Sequence, residues 1–222
     1  MRTIDLNADI AEGFPNDLEL MSFVSSINIC SGVYAGSPEL TSEVFSDGRE
    51  KGLRVGAHFG FPDRQSMGRR ELFEGYPQEW IESVEAQIRG SASYSYFKPH
   101  GALYHWLANA PEDSKYLWEV IEEMEKPFMG MPGGGHEAQC RRRGLRFISE
   151  GFCERGYDKY GLLIPRMEPD AVLHDFDAIC SQAVVLAEQV DSICIHGDRD
   201  DAAMVAYLVR ERLTKEGYKI TS

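Results

Sequence analysis

The chain has 222 residues, 43% hydrophobic and 27% charged, an ordinary globular mixture long enough for one large domain or two small ones. A formal net charge of −13 argues against a phosphate-backbone partner, so no nucleic acid is expected. No apolar run approaches bilayer-spanning length, so no membrane role is expected either.

The first β-like run, "TIDLNAD", carries Asp5, Asn7 and Asp9, with Glu12 just behind. It starts almost at the N-terminus, so no signal peptide is expected. "SINIC" follows with Asn28, and "LRVGAH" ends on His58. The next loop, "GFPDRQSMGRRE", holds Arg69 and Arg70, whose planar forks suit a carboxylate or phosphate. An ion pair with Asp63 or Glu71 is the competing reading. "PQEWIESVEAQIRG" places Trp80, Ile81, Val84 and Ile88 on one helical face. "YFKPH" then delivers Lys98 and His100.

Further along, "EDSKYLWEVIEEMEK" groups Leu117, Val120, Ile121 and Met124 at helical spacing. "PFMGMP" is a short β-like run, and "MPGGGHE" reads as a plain strand-to-helix turn. It lacks both a P-loop Lys and the spaced glycines of a dinucleotide fingerprint. Arg141, Arg142 and Arg143 read as a solvated helix end. "LRFISE" brings Glu150, and "DSICIHGD" brings His196 and Asp198. The last helix, "DDAAMVAYLVRERLTKEG", has Gly217 as its terminator. His105, His136 and His174 follow no such run and are read as surface or core residues. Five scattered cysteines without C-x-x-C spacing fit a reducing, cytoplasmic setting rather than a disulfide framework.

Strands alternating with helices imply a mainly parallel sheet, and seven such units favour one compact, irregular barrel over residues 1–222. Barrel chemistry sits at the C-terminal strand ends. Asp9, Glu12, His58, Lys98, His100, Glu150, His196 and Asp198 all fall at such ends, with Asn7 and Asn28 on the strands. They are therefore expected to converge on one mouth. Packing alone does not ask for this, because burying an unpaired charge costs roughly several kcal/mol.

The blocks "DLNADIAEGF", "NICSGVYAGSP", "GAHFGFPDRQSMGRR", "KPHGALYH", "EGFCERGYDKYGLLIPR" and "ICIHGD" resemble the signature blocks of the LamB/YcsF family, in that family's order and over almost the whole chain. The resemblance implies an irregular (β/α)7 TIM-like barrel of the glycoside hydrolase/deacetylase type. It also implies an activity like that of the 5-oxoprolinase A component, in which ATP and the B and C components help to open the lactam of 5-oxoproline to glutamate. The chain departs from the family pattern at Tyr34 and Ser37, where His and Asp are usual. Ala11 replaces a Gly, and Cys153-Glu154 replaces Ala-Asp.

Residue types suggest the roles. Asp9 or Glu12 would activate water, and Lys98, Arg69 and Arg70 would hold a carboxylate or oxyanion. Asn7, Asn28 and Glu150 would line the substrate, and His196, braced by Asp198, would protonate the leaving nitrogen. Two other readings stand beside this one. Asp9, His58 and His100 could ligate a divalent metal in a deacetylase-like amidohydrolase. A non-catalytic barrel could instead serve as an interaction module.

Overall fold

A computed structural model describes residues 2–72, 74–166 and 168–222. Its centre is a closed barrel of parallel strands β1 (Arg2–Ile10), β2 (Ser26–Cys30), β3 (Arg54–Phe59), β4 (Tyr96–Pro99), β5 (Phe128–Gly130), β6 (Phe147–Phe152) and β7 (Ser192–His196). Neighbours follow chain order, and β7 returns to β1 with Asp9 opposite His196. A short β8 (Tyr218–Ile220) extends β1 below the barrel by pairing with Arg2–Ile4. All seven β-like runs of the sequence become barrel strands, as expected of the TIM-like class.

β1 shows why the barrel has a polar interior. Its period-2 alternation sends Ile4, Leu6, Ala8 and Ile10 outward into an apolar layer with Leu20, Val205 and Val209. The intervening Asp5, Asn7 and Asp9 face inward, where they meet side chains of β2, β4 and β7.

The outer ring consists of α1 (Asp17–Leu20), α2 (Pro38–Glu50), α3 (Gln78–Gly90), α4 (Gly101–Asn109), α5 (Lys115–Glu123), α6 (Gly135–Arg143), α7 (Phe176–Leu186) and α8 (Ala202–Lys215). Helix α5 buries Leu117, Val120 and Ile121 of the stripe legible in the sequence together with Trp118, while Met124 is only partly buried at its end. They join Phe97 and Phe128 in a second apolar layer, and each buried Leu or Ile there stabilises by about 1.5–3 kcal/mol. Helix α2 starts at Ser37, whose hydroxyl accepts from Leu40 N at 3.2 Å, with Pro38 at its first position. Helix α6 carries the three arginines in its last turn, where Arg143 pairs with Glu122 at 2.6 Å. The turn from β4 into α4 needs Gly101. Its φ is +55°, and a Cβ there would lie 2.6 Å from the Gly68 carbonyl oxygen. That close approach pins the Arg69 loop against the strand end that carries His100.

Among the described residues, no helix is long and apolar enough to cross a membrane. All five cysteines are buried and free, consistent with their scattered spacing.

Candidate active site

The inward faces of the strands form a hydrogen-bonded column. At its base Asp5 accepts from Ser25 at 2.6 Å, Ser26 at 2.7 Å and Ser192 at 2.6 Å. Above it Asn7 donates to Ser192 at 2.7 Å and accepts from Asn28 at 2.6 Å. Asn28 also donates to Asp9 Oδ1 at 2.7 Å. Lys98 lies at the centre, only 2% exposed. Its Nζ is 2.8 Å from Asp9 Oδ1, 3.0 Å from Glu150 Oε2 and 3.0 Å from Cys194 Sγ. Burial disfavours the Lys98 charge, but Asp9, Cys194 and Glu150 outweigh it and hold its pKa well above the ordinary lysine value. Burial likewise pushes Asp9 up, yet His58 and Lys98 keep its carboxyl well below the usual carboxylate range. Asn28 and Lys98 thus hold Asp9 Oδ1 beneath the mouth, while Glu150 meets the column only through its ion pair with Lys98.

The next level holds His58, His100 and Glu12. His58 sits near the end of β3 and His100 directly after β4, so strand pairing brings the two imidazoles together. His58 Nε2 is 3.0 Å from His100 Nδ1. Glu12 Oε1 lies 3.4 Å from His100 Nδ1 and 3.9 Å from His58 Nε2, while Asp9 Oδ2 is 3.4 Å from His58 Nε2. Of the acids expected as metal ligands or bases, Glu12 is therefore the one that touches both imidazole edges. Burial, opposed by His58 and reinforced by Asp9, raises its carboxyl to about 6. Burial, together with His58 and Arg69, pushes His100 well below the ordinary histidine value. Tyr34 closes this level, with its hydroxyl 3.2 Å from Glu12 Oε1.

At the rim, His196 differs from expectation. Its Nδ1 meets Glu154 Oε1 at 2.5 Å, and the same oxygen accepts the His196 amide at 2.8 Å. Glu154 follows β6, the neighbour of β7, so its long arm reaches the imidazole that Asp198 was expected to brace. Asp198 turns instead to Arg69 Nη2 at 2.6 Å, with Arg166 Nη1 at 3.5 Å. Arg69 and Arg70 part company as well. Arg70 pairs with Asp63 at 2.9 Å, the competing ion-pair reading, whereas Arg69 reaches the mouth. Residue types alone did not single out Tyr34 and Glu154 as contacts, although both lie where the chain departs from the family pattern. Nor did they single out Arg166, which closes the stretch "EGFCERGYDKYGLLIPR".

The sequence model of the LamB/YcsF family matches residues 4–222. The chain is 36% identical to the A component of 5-oxoprolinase from Azorhizobium caulinodans, over 99% of this chain and 98% of that protein. It is 32% identical to the same-named protein of Histophilus somni, over 100% of this chain and 99% of that one. The first of these alignments spans 249 positions, more than the 222 residues here, so this chain carries gaps relative to that protein. Among solved structures, the lactam utilization protein of Thermus thermophilus superposes with a TM-score of 0.82 at 29% identity, covering 99% of both chains. A deacetylase solved with substrate shares the fold alone, with a TM-score of 0.52 at 12% identity over 99% of this chain and 87% of that one. Matched along its whole length by the family and by proteins of one name, the chain belongs to the LamB/YcsF family.

Proposed function

We propose that this chain is a hydrolase component like the A component of 5-oxoprolinase, opening the lactam C–N bond of 5-oxoproline to give glutamate together with the B and C components. The observation that supports this most is the end-to-end similarity to proteins that carry the 5-oxoprolinase name. The geometry of the mouth agrees with the chemistry required. Lactam opening needs an electrophilic carbonyl, a water stripped of a proton, and a proton for the departing nitrogen. ATP would transfer its γ-phosphoryl group to the carbonyl oxygen with ADP leaving. Water attack and C–N cleavage would then leave an acyl phosphate, which a second water would hydrolyse to glutamate and phosphate.

Within this chain, the acid pair Asp9 and Glu12 lies against the two imidazoles and supplies the proton acceptor. The Glu154–His196 pair supplies the proton donor, with Glu154 fixing Nδ1 so that Nε2 is the free edge. Phe152 stacks on the His196 ring at 5.4 Å and sets its plane. Arg69, already holding the Asp198 carboxylate, provides a guanidinium suited to the substrate's carboxylate.

The test is ATP-dependent glutamate formation from 5-oxoproline, measured with the chain alone, the partner subunits alone, and all three combined. Turnover is expected only in the combination. Robust turnover by the isolated chain contradicts the partner requirement, and none in the combination favours the interaction-module reading.

A further inference from the structure

His58 and His100 are each anchored by a main-chain carbonyl. His58 Nδ1 lies 2.9 Å from Lys98 O, and His100 Nε2 lies 2.8 Å from Met67 O. A carbonyl only accepts, so each of these nitrogens carries the proton. In the neutral rings that leaves His58 Nε2 and His100 Nδ1 as bare lone pairs, and these are the two atoms 3.0 Å apart. Two lone pairs at that distance repel unless a cation or a shared proton lies between them.

Charge supplies a second, independent argument. The Asp9 and Glu12 carboxylates both border this gap, at 3.4 Å and 3.4 Å from the imidazole nitrogens. The one lysine nearby, Lys98, contacts Asp9 Oδ1 and is already shared with Glu150. Among the described residues, the one hydrogen bond to Glu12 comes from the neutral Tyr34 hydroxyl, and the nearest guanidinium, Arg69, is paired with Asp198. Buried anions without a counter-charge are costly, and a multivalent cation at the gap offsets them.

We propose that Glu12, His58 and His100 form a divalent transition-metal site, with zinc the best match to two imidazoles and one carboxylate. The three donor atoms lie 3.0, 3.4 and 3.9 Å from one another. Tetrahedral bonds of about 2.0–2.1 Å separate ligands by about 3.4 Å, so the cluster has the right span. The carbonyl anchors are the outer contacts that orient metal-bound histidines. A second cluster, Asp9 with Cys194 and His196, also brings three donors together. Lys98 Nζ already lies 2.8 Å from Asp9 and 3.0 Å from Cys194, so that cluster has its cation.

This inference rests on the proposed lactam reading only for the metal's role. There it would supply Lewis acidity beside the reacting water, with Glu12 among the residues holding it and Asp9 Oδ2 left as the proton acceptor.

The experiment is to strip the full-length chain with a chelator and titrate it with Co(II), following visible absorption, metal content and melting temperature. One equivalent should bind, with a tetrahedral-type visible band, no thiolate charge-transfer band, and a raised melting temperature. Glu12→Gln and His100→Gln should weaken binding on the order of 100-fold or more, since even outer-contact losses cost 10–100-fold. Cys194→Ser should bind as wild type. No band and no melting shift in the wild-type chain overturns the proposal, whatever the variants do. A thiolate band moves the metal to Cys194 and also overturns it. Metal binding without lactam turnover in the reconstituted assay leaves this site standing and sinks the oxoprolinase reading. Turnover by a chain that binds no metal does the reverse.

Discussion

Tyr34 lies flat on His100, ring centroids 4.0 Å apart and planes within 10°, and its hydroxyl donates to Glu12 at 3.2 Å. The family usually carries His at this position and Asp at Ser37, and the two differences have different weights. Burial, with Cys30 and Glu12, pushes the Tyr34 phenol well above its ordinary value, so it stays a neutral donor and cannot carry protons at neutral pH. Tyr34→His is expected to raise kcat in the reconstituted assay more than it changes KM. Ser37 caps α2, a task Asp performs equally well, so Ser37→Asp alone should alter stability by less than about 0.5 kcal/mol and leave kcat unchanged. Equal gains from the two single variants would contradict this division.

Lys98 is the counter-ion of two buried acids. Lys98→Met leaves Asp9 and Glu150 without it, and should cost about 3–5 kcal/mol in urea unfolding. A lysine whose only task was to bind substrate would leave the unfolding midpoint where it was.

Ala11 has φ of +63° while wholly buried at the turn that carries Glu12. A left-handed alanine is strained by about 1–2 kcal/mol, and glycine relieves that at the loss of one buried methyl, about 0.8 kcal/mol. Ala11→Gly is therefore expected to stabilise by about 0.2–1.2 kcal/mol, seen as a higher denaturation midpoint with unchanged m. A lower midpoint would show that the methyl's packing outweighs the strain.

His136 is a core residue, its Nε2 2.9 Å from the Tyr104 carbonyl oxygen. Burial drives its pKa down to about 3, against the pull of that carbonyl. As pH falls below about 6.5 the unfolded chain binds this proton and the folded chain does not, so stability declines by about 1.4 kcal/mol per unit until about pH 3. His136→Gln should flatten the acid limb of the stability–pH curve between those limits. An unchanged slope would mean that His136 titrates alike in both states.

Much of the barrel was legible because apolar runs ending in His or Asp mark both a strand and its active end, as with His58, His100 and His196. Less legible was how deep each polar side chain sits. Lys98 and Glu150 read as mouth residues, but their position within the column depends on the register of strands far apart in sequence. The partner of His196 was hidden for the same reason. Asp198 is two residues away and Glu154 is 42, yet pairing of β6 with β7 puts Glu154 closer. β8 escaped notice because three residues, only one of them buried, carry no pattern.

The central claim is that this mouth performs lactam opening, and His196 tests it most directly. Glutamate release from 5-oxoproline would be measured with ATP and partner subunits, comparing wild type with His196→Gln and Glu154→Gln. Loss of the positioned proton donor should lower kcat by about 10²–10⁴-fold in His196→Gln, with a smaller loss in Glu154→Gln, while both chains still assemble with their partners. Wild-type kcat in His196→Gln, with the complex intact, would contradict the account.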